Sequence, residues 1–337
     1  MARPSDEFLL AWSSLSCEDH AAGWQAISLP SAGPVEVQVG RYSPSNMEAI
    51  LFCFPTARLT RSEKLPEGKG FLIEQADSTG QVGIRLALTR QEAGSTDLFA
   101  AMACDIVDAI DNAAASGEPE PRLLNTLIGR VIAWQQFMSR GAAPLGPEAE
   151  LGLAGELNFI TILLSSGVSP EAILKSWVGP DDAPQDFLLG DGAVEIKATM
   201  SSSGFSVKIG SLEQLDDSVA SPLFLAAIRF SGGDGGLTLP EIITQVENGL
   251  MDKPGLFNQF GDKLLMAGYI DDHANQYTRK FEQKELRIFS VSTNFPRLTP
   301  GSVPVGITRT VYEINLEQTG KFLIDLETVL KKLGASI

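Results

Sequence analysis

Hydrophobic positions in the first ninety residues alternate with polar ones, which is the period-two pattern of β-strands. The alternation runs through VEVQVG, AILFCF, GFLIEQ and GQVGIRLAL between residues 35 and 89, and Pro, Gly and Ser separate the segments. Such alternation is typical of an antiparallel sheet with one face on a core. We therefore predict a β-rich module over residues 1–92.

The spacing changes after residue 95, where apolar residues recur every three or four positions in the helical manner. DLFAAMACDIVDAIDNAAA and PRLLNTLIGRVIAWQQFMSR indicate two helices, and the breaker GEPEP separates them. We predict a helical connector over residues 93–145, with GAAPLGP as a hinge. Pro147 suits the first turn of the next helix, EAELGLAGELNFITILLSSG.

Residues 146–337 mix helical and strand patterns. Strands are predicted at FLL, AVEIKAT, Phe205–Ile209, PLFLAAIRF, LRIFSVS and RTVYEINL, and helices at KIGSLEQLDD, LPEIITQVENGLM and FLIDLETVLKKL. Alternation of helices with strands predicts an α/β (α+β) domain in which helices flank a mixed sheet.

Three charged residues interrupt the hairpin pattern PQDFLLGDGAVEIKAT, where two buried strands would carry none: Asp186, Glu195 and Lys197. Side chains alternate along a strand, so Glu195 and Lys197 point away from the apolar residues beside them. A two-residue primed turn at Asp191-Gly192 predicts that Asp186 lies opposite Lys197. Two carboxylates and an ammonium then converge on one face.

Two carboxylates with room for water suit Mg²⁺ or Mn²⁺. Asp186 and Glu195 are the predicted ligands, and Lys197 is the cation that stabilises charge on a phosphate and orients the attacking water. Glu156, at the edge of the apolar stripe of the preceding helix, either completes the metal shell or lies on the surface. Gln214 is an accessory candidate for a metal-bound water or a phosphate, with an exposed helical position as the alternative.

The order of a GELNF helix, a charged hairpin, a helix and a strand resembles the PD-(D/E)XK nuclease superfamily over residues 148–230. The chain is also similar to a bacterial group of PD-(D/E)XK motif proteins through GLAGELNFI, SWVGPDDAPQDFLL, VEIKAT, KIGSLEQLDD and FPRLTPGSVPVGITRTVYEINL. The resemblance implies a restriction-endonuclease-like fold. It also implies Asp186 and Glu195 as metal ligands, Lys197 as the catalytic lysine, Glu156 as the helical acidic residue and the Ile196 carbonyl as a further ligand.

The proline and the first aspartate depart from the family pattern. A literal Pro-Asp pair falls at residues 180–181, whereas Asp186 is separated from Pro184 by one residue. Asp181 is therefore a rival first ligand. Asp186 is preferred because it adjoins the strand FLL and meets Lys197 in the turn register, while Asp181 and Asp182 lie in a loop flanked by Gly and Pro.

The amino-acid composition argues against several kinds of catalytic and metal site. The chain holds only two histidines, His20 and His273, so a histidine-rich metal site or a zinc deaminase signature cannot be built. A serine triad has no GxSxG elbow to support it. The three cysteines are widely spaced and predict neither a disulfide framework nor a zinc site: Cys17, Cys53 and Cys104.

The net charge of −16 argues against broad adhesion to a polyanion, because nucleic-acid binding requires Lys and Arg to neutralise phosphates. Any basic surface must therefore be local. Two segments qualify, with a solvated face as the alternative interpretation of each: Arg58, Arg61, Lys64 and Lys69 in the first, and Arg279, Lys280, Lys284, Arg287, Arg297 and Arg309 in the second.

We predict a Mg²⁺- or Mn²⁺-dependent phosphodiesterase that acts on DNA, an endonuclease whose link to restriction or phage defence comes from the resemblance alone. The expected partners are DNA and either a protein partner or a second copy of the chain, because cutting both strands of a duplex needs two sites. The alternative is a noncatalytic nuclease-fold subunit for binding or assembly. The chain has neither a membrane-spanning run nor signal-peptide sections, which predicts a cytoplasmic protein without membrane contact.

Overall fold

The structure is a computed structural model and describes residues 5–15, 23–31, 33–43, 45–59, 65–76, 83–181, 183–250 and 253–335. Five residues considered above lie outside these ranges: Cys17, His20, Arg61, Lys64 and Asp182. The chain forms two compact units, residues 1–143 and 144–337. No helix within the described ranges has the length and apolar composition needed to cross a membrane.

The first unit is built on an antiparallel sheet with the strand order β1-β2-β3-β6-β5-β4. The strands are β1 (Gly23–Leu29), β2 (Glu36–Ser43), β3 (Met47–Phe54), β4 (Glu67–Gly68), β5 (Phe71–Gln75) and β6 (Ile84–Arg90). The alternating pattern predicted β2, β3, β5 and β6, and that β-rich character is confirmed. β1 was not predicted.

The described residues of the first unit also form the helices α1 (Ser5–Ser14), α2 (Thr96–Ala115) and α3 (Glu120–Ser139). Trp12 of α1 contacts Phe99 of α2 and donates its indole N–H to Ala49 O of β3 at 3.0 Å. α2 and α3 match the predicted helices, whereas α1 was not predicted. The bounds 1–92, 93–145 and 146–337 for a module, a connector and a nuclease-like domain stay a prediction.

The second unit contains the mixed sheet expected from the sequence. Its strands follow the order β11-β12-β10-β8-β7, and β14 pairs with β12. β8 and β10 are parallel and the other neighbours are antiparallel. The bounds are β7 (Phe187–Leu189), β8 (Gly192–Thr199), β10 (Leu223–Ser231), β11 (Leu237–Thr238), β12 (Lys280–Val291) and β14 (Leu323–Ile324).

Helices cover one face of this sheet and a two-stranded ribbon covers the other. The helices are α4 (Pro147–Ser165), α5 (Pro170–Ser176), α6 (Leu239–Asn248), α7 (Pro254–Met266) and α8 (Leu326–Lys332), and the ribbon pairs β9 (Ser206–Ile209) with β13 (Tyr312–Asn315). Pro147 begins α4 as predicted, and α5 and α7 were not predicted. The helical side buries apolar residues of sheet and helices together: Leu153, Leu157, Ile160, Val194, Ile196, Phe224, Ile228 and Ile242.

The predicted helix at KIGSLEQLDD is wrong beyond the residues of β9. Residues 210–222 form bends and turns, and the chain reaches β10 through them. Gln214 Oε1 accepts the Gly210 N–H at 2.7 Å, and Gln185 Nε2 donates to Glu213 O at 2.8 Å. Side chains therefore satisfy backbone groups that a helix would have paired internally.

Candidate active site

β7 and β8 form the charged hairpin, and its turn differs from the prediction. Leu189 pairs with Gly192, so the loop residues are Gly190-Asp191 and not Asp191-Gly192. Gly190 has φ 60°, the left-handed value that a primed turn needs at its first loop position. A Cβ at Gly190 would also overlap the carbonyl oxygen of Leu333, so close packing by the chain after α8 requires glycine there.

The observed register places Asp186 opposite Glu195, and the predicted pairing of Asp186 with Lys197 is wrong. A shift by two residues leaves every side chain on its original face, because side chains alternate with period two. Asp186 Oδ2 accepts the Ile196 N–H at 2.7 Å, and Lys197 Nζ lies 2.6 Å from Glu195 Oε1. The three charged side chains are therefore close together despite the changed register.

The segment before β7 holds Asp186 in place. Asp186 O accepts hydrogen bonds from Val178 N at 2.8 Å and Gly179 N at 3.0 Å. A Cβ at Gly179 would lie 2.9 Å from Glu156 Oε2 and 3.1 Å from Asp186 Oδ1. The missing side chain of Gly179 therefore leaves the space in which these two carboxylates approach each other.

Glu156 reaches the site because α4 packs closely on β8. A Cβ at Gly155 would lie 2.9 Å from the Ala198 Cβ, a distance that real Cβ atoms essentially never show. The neighbouring Glu156 is half-buried, and its Oε2 accepts the indole N–H of Trp177 at 2.7 Å. Of the two positions considered for Glu156, the structure therefore shows the one that faces the hairpin.

Burial shifts the pKa values of the four charged groups Glu156, Asp186, Glu195 and Lys197. Burial and then the charge of Asp186 raise the pKa of Glu195 to about 8, although Lys197 lowers it. Burial and the charge of Asp186 also raise the pKa of Glu156 well above its usual range, and burial raises that of Asp186. Burial lowers the pKa of Lys197, but the charges of Glu195 and Asp186 outweigh it and raise this pKa. The single ammonium cannot neutralise all three carboxyl groups, so a further positive charge would stabilise their ionised forms.

The donor set fits a hard cation. Glu195 is 0% exposed, and the one cation it contacts in the described part of the chain is Lys197, 2.6 Å from its Oε1. The N–H and C=O of one strand residue point to the same side, and the Ile196 N–H points to Asp186. The Ile196 carbonyl therefore faces the same edge, beyond the end of β7. No group of three or more His, Cys, Asp or Glu side chains in the described ranges is spaced to hold a metal ion.

The rival aspartate, Asp181, is paired elsewhere. It ends the 3₁₀ turn Gly179–Asp181, and its Oδ2 lies 3.0 Å from Lys263 Nζ. Lys263 also donates to Trp177 O at 2.5 Å. Asp186, and not Asp181, therefore accompanies Glu195 in this structure.

One comparison with known proteins decides the family. The family model described as "Putative PD-(D/E)XK family member, (DUF4420)" matches residues 9–317. The chain belongs to this PD-(D/E)XK family. No match to the chain was found among curated proteins or among solved structures.

Within the PD-(D/E)XK pattern, the E-x-K string is Glu195-Ile196-Lys197, and it lies on one buried strand as the sequence predicted. Gln214 lies in a turn and its Oε1 is engaged by Gly210, so its predicted helical position is wrong. The metal-binding and catalytic roles of Asp186, Glu195, Lys197, Glu156, Ile196 and Gln214 stay predictions.

Sequence reasoning missed Trp177 as a neighbour of this PD-(D/E)XK site. Its indole N–H contacts Glu156, its carbonyl accepts from Lys263, and its backbone forms an isolated bridge with Phe187. The available signal was the segment SWVGPDD directly before the hairpin, where a large aromatic residue precedes a Gly-Pro turn.

Most of the second basic segment is engaged by acidic residues or by backbone oxygens. Arg309 is exposed and forms no ion pair within the described part of the chain. The engaged residues and their partners are Arg279 with Glu150, Lys280 with Asp234 O, Lys284 with Glu282, Arg287 with Glu285 and Glu317, and Arg297 with Asp217.

Proposed function

We propose that this protein is a metal-dependent phosphodiesterase that cleaves DNA, an endonuclease of the restriction or phage-defence kind. The observation that carries the proposal is the convergence of Asp186, Glu195 and Lys197 in a buried site, where the fully buried Glu195 shares a single ammonium with Asp186. Buried carboxyl groups that one ammonium cannot neutralise are costly, so a purely structural cluster has reason to avoid them. Membership of a PD-(D/E)XK family supports a nuclease fold for the chain.

Asp186, Glu195 and the Ile196 carbonyl would hold Mg²⁺ or Mn²⁺, with Glu156 joining directly or through water. Carboxylate and carbonyl oxygens are the donors that these cations prefer, and two carboxylates with several waters are a common ligand set. When bound, the ion polarises a phosphoryl oxygen and lowers the pKa of a coordinated water.

Lys197 supplies positive charge and hydrogen-bond donors in this proposal. Against the effect of burial, the charges of Glu195 and Asp186 raise the pKa of Lys197, which favours the ammonium form. Its side chain is 17% exposed, whereas that of Glu195 is 0% exposed. A phosphate can therefore reach the ammonium while Glu195 lies behind it, where Lys197 would stabilise charge developing on the phosphoryl oxygens and orient the attacking water.

Cleavage of supercoiled, linear and single-stranded DNA in Mg²⁺ or Mn²⁺ tests the proposal. We expect nicking or linearisation by the natural protein and at least about a hundredfold slower cleavage by Lys197→Ala, because a charged donor at the phosphate is lost. Lys208→Ala is the matched control, since Lys208 is an exposed lysine of the same unit. Equal cleavage by Lys197→Ala and the natural protein would contradict the proposal.

A second function is a noncatalytic subunit that keeps the nuclease fold for binding or assembly. The acidic net charge and the engaged second basic segment favour this alternative, because both weaken a general attraction to nucleic acid. Calorimetry with Mn²⁺ separates the two functions. Heat of Mn²⁺ binding that disappears in Glu195→Gln supports the enzyme, whereas no heat together with tight binding to a protein encoded nearby supports the subunit.

A further inference from the structure

Residues 299–311 form a loop that is closed at its base, which we call the tied loop. Leu298 N donates to the Tyr312 hydroxyl at 3.0 Å, and that hydroxyl donates to Leu298 O at 3.4 Å. Inside the loop, Thr299 N donates to Ser302 Oγ at 2.7 Å. The two ends are therefore adjacent, as in the compact surface loops that frequently carry function.

The base of the tied loop lies on the sheet face that carries the candidate site. Tyr312 begins β13 and pairs with Ile209, which shares a buried core with Ala227. Ala227 is the β10 residue that pairs with Lys197. Burial raises the pKa of the Tyr312 hydroxyl, and Lys197 is near enough for its charge to act in the opposite direction.

The outer part of the tied loop exposes apolar side chains. Val305 is fully exposed, Ile307 and Val311 are exposed, and Gly306 turns the chain between them with φ 100°. These neighbouring β-branched side chains are exposed to solvent and do not pack into the core. Such exposed apolar side chains suggest a surface that a binding partner covers.

The tied loop carries a positive charge, whereas the whole chain is acidic. Residues 299–311 contain one arginine and no acidic residue, although the chain has 42 acidic residues and a net charge of −16. Arg309 is exposed on the loop and forms no ion pair among the described residues. This local charge complements a polyanion.

We propose that the tied loop inserts into a groove of duplex DNA beside the phosphate that is cleaved, an inference that rests on the proposed function for its substrate. Val305 and Ile307 act as an apolar wedge against a base step, and Arg309 contacts a backbone phosphate. Apolar side chains flanked by arginine are a recurring means of opening a base step. An acidic protein partner would match the charge of Arg309, but it would leave unexplained why the base of the loop lies on the sheet face that carries Lys197.

Binding of short duplexes that contain 2-aminopurine tests the wedge, with Ca²⁺ present to occupy oxygen ligands. Fluorescence anisotropy gives Kd, and a rise in 2-aminopurine emission reports an opened base step. We expect Val305→Ser combined with Ile307→Ser to weaken Kd about tenfold and to abolish the rise. Arg309→Ala should keep the rise but lower the slope of log Kd against log salt by about 1. Leu10→Ser and Arg122→Ala, at exposed positions of the first unit, are the matched controls.

Unchanged Kd and emission in the wedge variant would overturn the inference, and so would a natural protein that binds no duplex DNA. The unfolding midpoint of each variant, measured by calorimetry, should equal that of the natural protein because the changed side chains are exposed. Loop-dependent binding without cleavage in Mg²⁺ or Mn²⁺ would keep the inference and contradict the phosphodiesterase. Cleavage by a protein whose DNA binding does not depend on the tied loop would support the phosphodiesterase and contradict the inference.

Discussion

Two buried glutamates, one in each unit, have opposite surroundings. Glu120 at the start of α3 is 8% exposed, and its oxygens accept Thr56 N at 2.6 Å, Thr56 Oγ1 at 2.7 Å and Ala57 N at 2.7 Å. Burial raises the pKa of Glu120, but these hydrogen bonds outweigh it and leave the pKa below its usual value. Glu195 is more deeply buried and contacts Lys197 at 2.6 Å, but burial and the charge of Asp186 outweigh this contact and raise its pKa to about 8.

Glu48 extends the comparison. It contacts Arg41 at 2.8 Å and Arg90 at 2.6 Å, and the two guanidinium groups hold its pKa below the usual value against the effect of burial. Burial alone therefore does not distinguish a structural carboxylate from a functional one. The difference lies in the partners: Glu48 contacts two arginines and Glu120 accepts three hydrogen bonds, whereas Glu195 shares one lysine, Lys197, with Asp186.

The largest expected effect separates the two candidate aspartates. Asp186→Asn should slow DNA cleavage in Mg²⁺ at least about a hundredfold, because it removes one of the two carboxylates that would hold the cation. The Asn side chain can still accept the Ile196 N–H, so the hairpin should persist. Asp181→Asn should change the rate less than about twofold, since its partner is Lys263. Cleavage rates under single-turnover conditions check both variants. If Asp181→Asn slowed cleavage more than Asp186→Asn, Asp181 of the literal Pro-Asp pair would be the first metal ligand.

The next effect concerns the stability of the metal-free protein. The folded pKa of Glu195 is raised from 4.5 to about 8, so the folded state binds this proton more tightly than the unfolded state. The resulting stabilisation is complete below 4.5 and is lost as pH rises through about 8. Glu195→Gln resembles the protonated form and should exceed the natural protein in stability above that range by on the order of 3 kcal/mol.

Unfolding midpoints measured by calorimetry in EDTA across this pH range check the Glu195 prediction. The advantage of Glu195→Gln should shrink as the buffer becomes acidic, because both proteins are then uncharged at this position. A natural protein whose midpoint stays constant from pH 4.5 to about 8, or a variant that is less stable throughout, would contradict it.

The smallest expected effect has the opposite sign. Glu120→Gln should destabilise the first unit by about 1–3 kcal/mol, because it replaces charge-assisted hydrogen bonds from Thr56 and Ala57 with weaker ones. The folded pKa of Glu120 is lowered, so this stabilisation exists above the unfolded pKa and is lost as pH falls through the folded one.

Denaturant unfolding at neutral and acidic pH checks the Glu120 prediction, and the difference between the two proteins should shrink in acid. Glu118→Gln is the control, since the ion pair of Glu118 among the described residues is an i,i+4 pair with Arg122 that is worth less than about 0.5 kcal/mol. A Glu120→Gln protein as stable as the control would show that the three hydrogen bonds contribute little.

The sequence predicted the mixed sheet and the position of Glu195 and Lys197 well, because both depend on alternation within a single strand. It failed for the hairpin turn because Gly190-Asp191-Gly192 allows two different two-residue turns, Gly190-Asp191 and Asp191-Gly192, and the sequence alone does not distinguish them. The approach of Leu333, more than a hundred residues later, excludes a side chain at Gly190. Such contacts between distant segments are invisible to local patterns.

The failed helix after β9 has a similar cause. Leu212 and Leu215 have helical spacing, but Gln185 beside the hairpin holds Glu213 O, and Gln214 caps Gly210 N. These tertiary hydrogen bonds override a weak local preference. The position of Glu156 could not be decided either, because it depends on how closely Gly155 brings α4 to β8.

The hairpin register also explains why the two parts of the PD-(D/E)XK pattern differ in their value for recognising distant relatives. Glu195 and Lys197 are two residues apart because the pleat of one strand requires it. The separation between Asp186 and Glu195 instead measures the length of a hairpin, which can gain or lose one residue on each strand without moving either carboxylate off its face. Evolutionary drift can therefore change that separation in steps of two, and a search that fixes it will overlook relatives with the same chemistry.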